Sequence, residues 1–328
     1  MRRPWLAPLV PLYAAGAALR GWRRGPAQRL RWPVISIGNL SVGGSGKTPL
    51  TIALARLLSV RGFHVDVLSR GYGRRSSVPL RVDPGGSAEN FGDEPLLIAK
   101  SAGVPVYVAA ERFLAGRLAE SDRPDIAERA VHILDDGYQH RQLHRDVDIL
   151  VLDREDLRDS LLPAGNLREG LRAALRADVM VIRSDEPNLE ADLRARGLQC
   201  PIWRLHRRMD VPPVSGPVMA FCGIARPAQF FAGLDGAGVQ IAVRKSFPDH
   251  YDYTEHVIEW LVEKARSSKA AAFLTTEKDL ARFGDLVRSF PADLPLLTAG
   301  LTVQIDHESM AIEWLLARLE SSGSQRPV

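Results

Sequence analysis

The chain has 328 residues, a formal net charge of +4, 45% hydrophobic residues and 25% charged residues. That length supports two ordinary domains with their own cores, and the composition excludes a disordered or repetitive chain. Its two cysteines, Cys200 and Cys222, form no disulfide framework, and a reducing cytoplasm is their simplest setting.

The charge is unevenly spread. No Asp or Glu precedes Asp66, whereas Arg2, Arg3, Arg20, Arg23, Arg24, Arg29, Arg31, Lys47, Arg56 and Arg61 all do. Such a basic end suits an anionic surface, either membrane or nucleic acid. Trp5 to Leu19 is almost wholly apolar, yet at roughly fifteen residues it falls short of a bilayer-spanning helix. Pro8 and Pro11 restrict helix to the part from about Leu12 onward. With Arg20, Trp22, Arg23 and Arg24 beyond it, the segment fits an apolar helix lying in a membrane interface. The alternative is a buried helix packed on the first domain.

From Val34 the pattern becomes strand, loop, helix, repeated. Val34–Ile37 enters a glycine-rich loop, Ser41-Val42-Gly43-Gly44-Ser45-Gly46-Lys47-Thr48, followed by an apolar helix from Leu50 to Leu58. This is the order of a phosphate-binding P-loop: glycines turn backbone N–H groups inward, Lys47 brings a mobile charge, and Thr48 offers a hydroxyl to Mg²⁺. Ser41 stands where the usual pattern has its first glycine. The small residues Ala14 to Ala18 imitate a signal-peptide cleavage region, but cleavage would export this loop to a compartment without ATP.

Strands follow at Val65–Leu68, Pro105–Ala109, Ala130–Leu134, Asp148–Leu152 and Val179–Ile182, with helices at Leu96–Ala102 and around Glu111–Glu120. Arg207–Pro217 reads as a linker. Beyond it, strands at Val218–Phe221, Val239–Val243, Ala271–Leu274 and Leu294–Ala299 alternate with helices near Pro227–Leu234, Thr254–Arg266 and Ala311–Leu319, and Ser321–Val328 reads as a loose tail. The alternation predicts an α/β fold: a P-loop NTPase-like, mostly parallel sheet, a second, smaller α/β domain and an N-terminal apolar helix. The divisions fall at 1–32, 33–206, 207–217 and 218–328.

Several motifs carry chemistry. Asp135 and Asp136 end an apolar strand, where a P-loop protein keeps its Mg²⁺-linked carboxylate, although Asp-Gly is also ordinary turn chemistry. Gly92-Asp93-Glu94-Pro95 puts two acids at a helix start. There they serve as dipole partners, or one of them as the base that accepts a hydroxyl proton. His140 and His144 lack the further ligands of a zinc site. Asp249-His250-Tyr251, the loop Pro163–Glu169 and Thr275-Thr276-Glu277-Lys278-Asp279 are individually weak, the last reading as a helix cap.

Taken in order, Ser36-Ile37-Gly38-Asn39-Leu40 with its P-loop, Ser69-Arg70-Gly71-Tyr72-Gly73, Gly92-Asp93-Glu94-Pro95, Leu134-Asp135-Asp136-Gly137-Tyr138-Gln139-His140, Pro163-Ala164-Gly165-Asn166-Leu167-Arg168-Glu169 and Thr275–Asp279 resemble the tetraacyldisaccharide 4′-kinases. Those enzymes phosphorylate a lipid A precursor in Gram-negative bacteria. The resemblance spans about Ser36 to Asp279, with Tyr138 where the family usually has Phe.

It implies transfer of the ATP γ-phosphoryl group to the 4′-hydroxyl of tetraacyldisaccharide 1-phosphate at the cytoplasmic face of the inner membrane. Gly43, Gly44, Ser45, Gly46, Lys47 and Thr48 would hold the phosphates. Thr48, Gln139 and Glu169 would lie around Mg²⁺, and Asp135 and Asp136 would support metal and phosphoryl group. Asp93 would be the base, paired with His250 by domain closure. Arg70, Tyr72, Arg112 and Arg168 would contact substrate or nucleotide.

The implied partners are the glycolipid and an anionic membrane surface, with no nucleic acid and no obligatory protein partner. A rival is a membrane-associated ATPase switch of the ParA and MinD kind, whose loop carries a lysine where Val42 stands. A non-catalytic scaffold would leave Asp93, Asp135 and Asp136 without a task.

Overall fold

A computed structural model of the chain describes residues 3–22, 26–44, 46–126 and 128–323. Arg2, Arg23, Arg24 and Ser45 lie outside that set, as do the side chains of Arg20 and Trp22 and the tail residues 324–328.

Pro4–Leu9 forms a 3-10 stretch that runs into α1 (Val10–Trp22). Pro11 occupies the first turn, where a missing N–H costs nothing, so the helix begins slightly ahead of Leu12. The segment lies on the surface rather than in a core: Trp5, Leu9 and Leu12 are 75%, 47% and 72% exposed. It is tied down at Arg3, whose N–H donates to Ala164 O (2.6 Å), and at Tyr13, whose hydroxyl donates to Arg168 O (3.3 Å). Among the described residues no helix is long and apolar enough to cross a membrane.

The strands are β1 (Val34–Asn39), β2 (His64–Ser69), β3 (Leu80–Arg81), β4 (Val106–Val108), β5 (Ala130–Asp135), β6 (Val147–Val151), β7 (Val179–Arg183), β8 (Ile202–Asp210), β9 (Val218–Cys222), β10 (Ile241–Ser246), β11 (Ala272–Thr276) and β12 (Leu296–Ile305). They form one sheet in the order β10-β9-β11-β12-β8-β7-β6-β1-β5-β2-β4-β3. The helices are α2 (Lys47–Val60), α3 (Ala88–Phe91), α4 (Asp93–Ala102), α5 (Arg112–Asp122), α6 (Leu189–Ala195), α7 (Pro227–Gly236), α8 (Glu255–Ser267), α9 (Glu277–Phe283) and α10 (Glu308–Gly323).

Every residue of β1, β5, β6 and β9 is buried, as expected for parallel strands covered on both faces. β1 pairs in parallel with β5 on one side and β6 on the other, bringing Ile37 beside Asp135 and Asn39 beside Val151. Strand order reverses there, and the crevice beyond the carboxyl end of such a switch point is where open α/β sheets bind ligands.

The two halves of the sheet meet at an antiparallel pair that the alternation did not announce. β8 lies against β12, Leu205 opposite Ile305 and Asp210 opposite Gly300. The stretch expected to be a linker from Arg207 is therefore strand as far as Asp210. Trp203 and Leu205 are buried and alternate with Arg204 and His206, a period-2 signal hidden among charged residues.

A second difference concerns the C-terminus. α10 returns to the P-loop half, where Ile312, Leu315 and Leu319 share a core with Ile35, Leu54 and Val147, and it continues through Gly323 rather than loosening at Ser321. The smaller lobe comprises β9–β12 with α7–α9. At its centre Phe221 meets Phe247, Tyr253, Phe273 and Phe283 edge-on at 6.0–6.4 Å between ring centroids. These rings anchor both the loop carrying His250 and the end of α9.

Candidate active site

A cleft of about 2000 Å³ runs between the lobes, with the P-loop, the Asp93 turn and the end of β5 on one wall and His250, Lys278 and α7 on the other. Gly46 is the N-cap of α2 and holds φ at 92°, the left-handed region that glycine enters without strain. A Cβ there would also meet the Arg207 guanidinium at 2.5 Å. α2 has no acid in its first turn, so its N-terminal N–H groups and positive dipole end are available to an anion.

Lys47 reaches across this loop. Its Nζ donates to Asn39 Oδ1 (2.9 Å) and pairs with Asp136 Oδ1 (3.4 Å). Arg168 NH1 binds the other oxygen, Asp136 Oδ2, at 2.8 Å. Burial alone would raise the pKa of Asp136, but Lys47 and Arg168 outweigh it and hold the carboxyl down at about 2. Asp135, one residue earlier, has only neutral donors among the described residues: Thr51 Oγ1 and Ser69 Oγ, each at 3.3 Å. Burial first, then the nearby charges of Glu94 and Asp136, push it up to about 7.

Asp93 is the first residue of α4. Gly92 before it holds φ at 88°, and a Cβ there would press on Tyr72 O at 2.9 Å, so the Tyr72 and Asp93 turns fit together only through glycine. Asp93 Oδ1 accepts from Glu94 N–H (2.9 Å). Asp93 Oδ2 accepts from Arg282 Nε (2.9 Å) and NH2 (2.5 Å), and His250 Nδ1 lies 3.2 Å away. Burial would raise its pKa; the hydrogen bond from His250 and the charges of Arg282, His250 and Lys278 overcome that and hold it well below the usual carboxylate range. His250 is raised in turn, chiefly by its hydrogen bond to Asp93 against the opposing effect of burial.

The remaining expected residues divide. Thr48 is buried in the first turn of α2 and lines the cleft. Gln139 also faces the cleft, yet its Nε2 donates to Asn39 O (2.8 Å) and its Oε1 accepts from Arg168 NH1 (3.1 Å). Glu169 is bound by Arg141 (3.0 Å) and Arg176 (2.9 Å). Arg112 is 7% exposed; its NH1 donates to Ala110 O (2.7 Å), and its Nε is buried without a hydrogen bond among the described residues. Burial, and secondly Arg70, lower its pKa to about 10. Tyr72 is exposed, its ring 5.3 Å from that of His250. The Tyr138 hydroxyl, absent from a Phe, donates to Ala173 O (2.6 Å) and so sits in the core without penalty.

The donors suit a hard cation. Among the described residues no group of three or more His, Cys, Asp or Glu could hold a metal by itself. Asp135 is buried, and beside it Asp136 Oδ1 faces Lys47 Nζ at 3.4 Å with no closer partner among the described residues. Two carboxylates and the Thr48 hydroxyl, completed by phosphate oxygens and water, match the way Mg²⁺ is bound alongside a nucleotide.

Four side chains in the site had no assigned role in the sequence reading. Asn39 holds Lys47, Thr51 donates to Asp135, and Lys278 and Arg282 reach Glu94 and Asp93. The last two stand four apart on α9, a same-face spacing that could have drawn attention to them.

A family model described as tetraacyldisaccharide-1-P 4′-kinase matches residues 2–320. A tetraacyldisaccharide 4′-kinase of Koribacter versatilis (strain Ellin345) is 40% identical over 95% of this chain and 98% of its own. One of Rhodopseudomonas palustris (strain BisB5) is 38% identical over 90% and 87%. The crystal structure of LpxK from Aquifex aeolicus, described as an "apo" form in complex with ATP, superposes with a TM-score of 0.74 at 34% identity, covering 96% of this chain and 98% of that one.

Proposed function

The chain belongs to the tetraacyldisaccharide 4′-kinase family, and from that premise we propose how its residues divide the work. It is an ATP-dependent kinase that phosphorylates the 4′-hydroxyl of tetraacyldisaccharide 1-phosphate. The ParA and MinD alternative falls away with the family assignment.

The observation that carries the division of roles is the meeting of Asp93 and His250 across the cleft mouth, on the same cavity as Lys47 and Asp136. Gly43, Gly44, Gly46 and the α2 N-terminus cradle the phosphates, with Ser45 of the same loop, and Lys47 neutralises the charge that develops on the transferred group. Asp93 accepts the 4′-hydroxyl proton while His250 fixes its carboxylate. Thr48, Gln139 and Glu169 would lie around Mg²⁺, the last two once released from Arg168 and from Arg141 and Arg176, and Asp135 and Asp136 would support the ion, which when bound would screen the phosphate charge. Arg70, Tyr72, Arg112 and Arg168 orient substrate and nucleotide.

The acceptor carries acyl chains, so the reaction belongs at a lipid surface. The exposed Trp5, Leu9 and Leu12, in the segment whose Tyr13 lines the cleft, support docking to the cytoplasmic face of the inner membrane, the apolar side chains entering the headgroup boundary. The division into a P-loop lobe, a bridging strand pair and a smaller lobe then allows closure over the two substrates.

The direct test incubates the protein with labelled ATP, Mg²⁺ and tetraacyldisaccharide 1-phosphate in detergent. Labelled lipid is expected; its absence from folded protein would overturn the assignment.

A further inference from the structure

The small helix α9 presents two cations, Lys278 and Arg282, to two consecutive acids at the start of α4. Lys278 Nζ pairs with Glu94, and the Arg282 fork closes on Asp93 Oδ2 through Nε and NH2. Arg282 is held from behind within its own lobe, where NH1 donates to Gly223 O (2.5 Å) and to Asp279 Oδ1 (3.1 Å). Asp279 is itself immobilised: its Oδ1 accepts from Gly223 N–H (3.0 Å) and the Tyr253 hydroxyl (2.9 Å), its Oδ2 from Thr276 Oγ1 (2.7 Å). Arg282 is thus a rigid fork mounted on the smaller lobe and aimed at the carboxylate expected to take the proton.

We propose that Arg282 is a positioning residue that couples closure of the smaller lobe to the use of Asp93, and that it leaves Asp93 Oδ1 as the oxygen that accepts the proton. The reasoning is a count of lone pairs. Oδ2 takes both Arg282 donors and faces His250, whereas Oδ1 takes only the Glu94 N–H among the described residues. A carboxylate oxygen accepts two hydrogen bonds readily, so Oδ1 keeps capacity for one more. In the transfer, the 4′-hydroxyl oxygen bonds to the γ-phosphorus, its proton passes to Oδ1, and the bond to the ADP oxygen breaks. When the lobes part, Arg282 keeps Asp279 and Gly223, while Asp93 keeps the Glu94 N–H but loses Arg282 and His250.

Asp93 is faced by His250 from the loop before α8 and by Lys278 and Arg282 from α9, with Glu94 next to it on its own helix; behind these, Asp249 acts on His250 and Arg282, and Asp279 on Arg282. Removing Arg282 therefore takes away one of the charges that hold Asp93 ionised.

The inference rests on Asp93 being the base, and the test separates the two. Asp93→Asn, Arg282→Gln, Arg282→Lys and the double variant Asp93→Asn/Arg282→Gln are compared for kcat, both KM values and the pH profile of kcat, with folding checked by circular dichroism. Loss of kcat of about 10²–10⁴-fold in Asp93→Asn is expected for a general base. Arg282→Gln should lower kcat more than it changes the KM for ATP. Its acidic limb should move to higher pH by about 1–3 units, because an arginine no longer favours the ionised form. The double variant should be no slower than Asp93→Asn, since Arg282 acts only through that carboxylate.

Arg282→Lys keeps a cation without the fork and should recover part of the loss; it also decides the matter if Arg282→Gln fails to fold. An unmoved acidic limb in a folded Arg282 variant, or fully additive losses in the double variant, overturns the positioning role. A near-normal Asp93→Asn overturns the base assignment instead.

Discussion

Asp135 and Asp136 are neighbours in the chain, yet the fold shifts them in opposite directions, Asp135 above and Asp136 below the usual carboxylate value. The difference is one of partners. The chain turns sharply at Asp136, where φ is 49°, and this sends its carboxylate to Lys47 and Arg168. Asp135 remains in the strand among burial and hydroxyls. The sign follows directly: a buried acid whose folded pKa is raised favours the folded state only while protonated, and destabilises it increasingly as pH rises from about 4 to about 7.

Asp135→Asn should therefore abolish or severely reduce phosphoryl transfer while stabilising the protein without ligands. The variant should melt higher than the parent at pH 8, and the gain should fade toward pH 4, because the cost of ionising buried Asp135 is then absent from both. Thermal melts across pH provide the check; a variant that melts lower than the parent at pH 8 would contradict the account of Asp135.

Arg112 is buried close to both of these acids, with a main-chain oxygen as partner and an Nε that has no hydrogen bond among the described residues. Such a guanidinium is ready to receive an anion. Arg112→Ala should lower kcat on the order of 10³-fold, in line with arginines that meet a transferring phosphoryl group. Arg112→Lys should fall between, because a lysine keeps charge without the planar fork. Equal activity of Arg112→Ala and the parent would remove Arg112 from the substrate-contact set.

A second ionic cluster lies away from the cleft. His132 is fully buried, with Nδ1 2.6 Å from Asp66 Oδ1 and Nε2 3.5 Å from Glu120 Oε1. Burial opposes its charge, but Asp66 and Glu120 raise its pKa to about 9, and Glu120 is lowered in return. Through Asp66, His132 and Glu120 the cluster pins β2, β5 and α5 together, and Glu120 also ties in the chain before β1 by accepting from the N–H groups of Arg31 and Trp32. A raised histidine stabilises fully below its unfolded pKa and ceases to do so as pH passes its folded value.

Replacing His132 by Gln should cost about 3–5 kcal/mol, the usual penalty for breaking a buried pair. The difference in Tm between parent and variant should be greatest near pH 6 and shrink toward pH 9. A difference that grows toward pH 9 would show that the histidine is neutral in the folded protein.

The proposed docking rim makes a separate prediction. Trp5 and Leu12 are more exposed than any large hydrophobic described in the smaller lobe. Converting both to Ser should weaken binding to anionic lipid vesicles by about tenfold or more, given roughly 1.5–3 kcal/mol for each large apolar side chain that enters lipid. Turnover of detergent-dispersed substrate should fall far less. Unchanged vesicle sedimentation would move the docking surface elsewhere.

Much of this protein is written locally. The P-loop, the acids ending β5 and the glycine before Asp93 were legible because each depends on backbone chemistry within a few residues: positive φ, a free helix N-terminus, an apolar strand run into a turn. Alternation of strand and helix likewise declared a parallel sheet. Where contacts join distant parts of the chain, local pattern was silent. β8 becomes a strand because β12 lies beside it, and α10 packs against a core assembled far upstream. Arg282 is an ordinary helical arginine until tertiary packing sets its fork on Asp93, 189 residues away. The residue types that make a kinase were visible in the sequence; the electrostatics that poise them, from Asp135 at about 7 to Asp136 at about 2, came only from burial and from partners that the fold supplied.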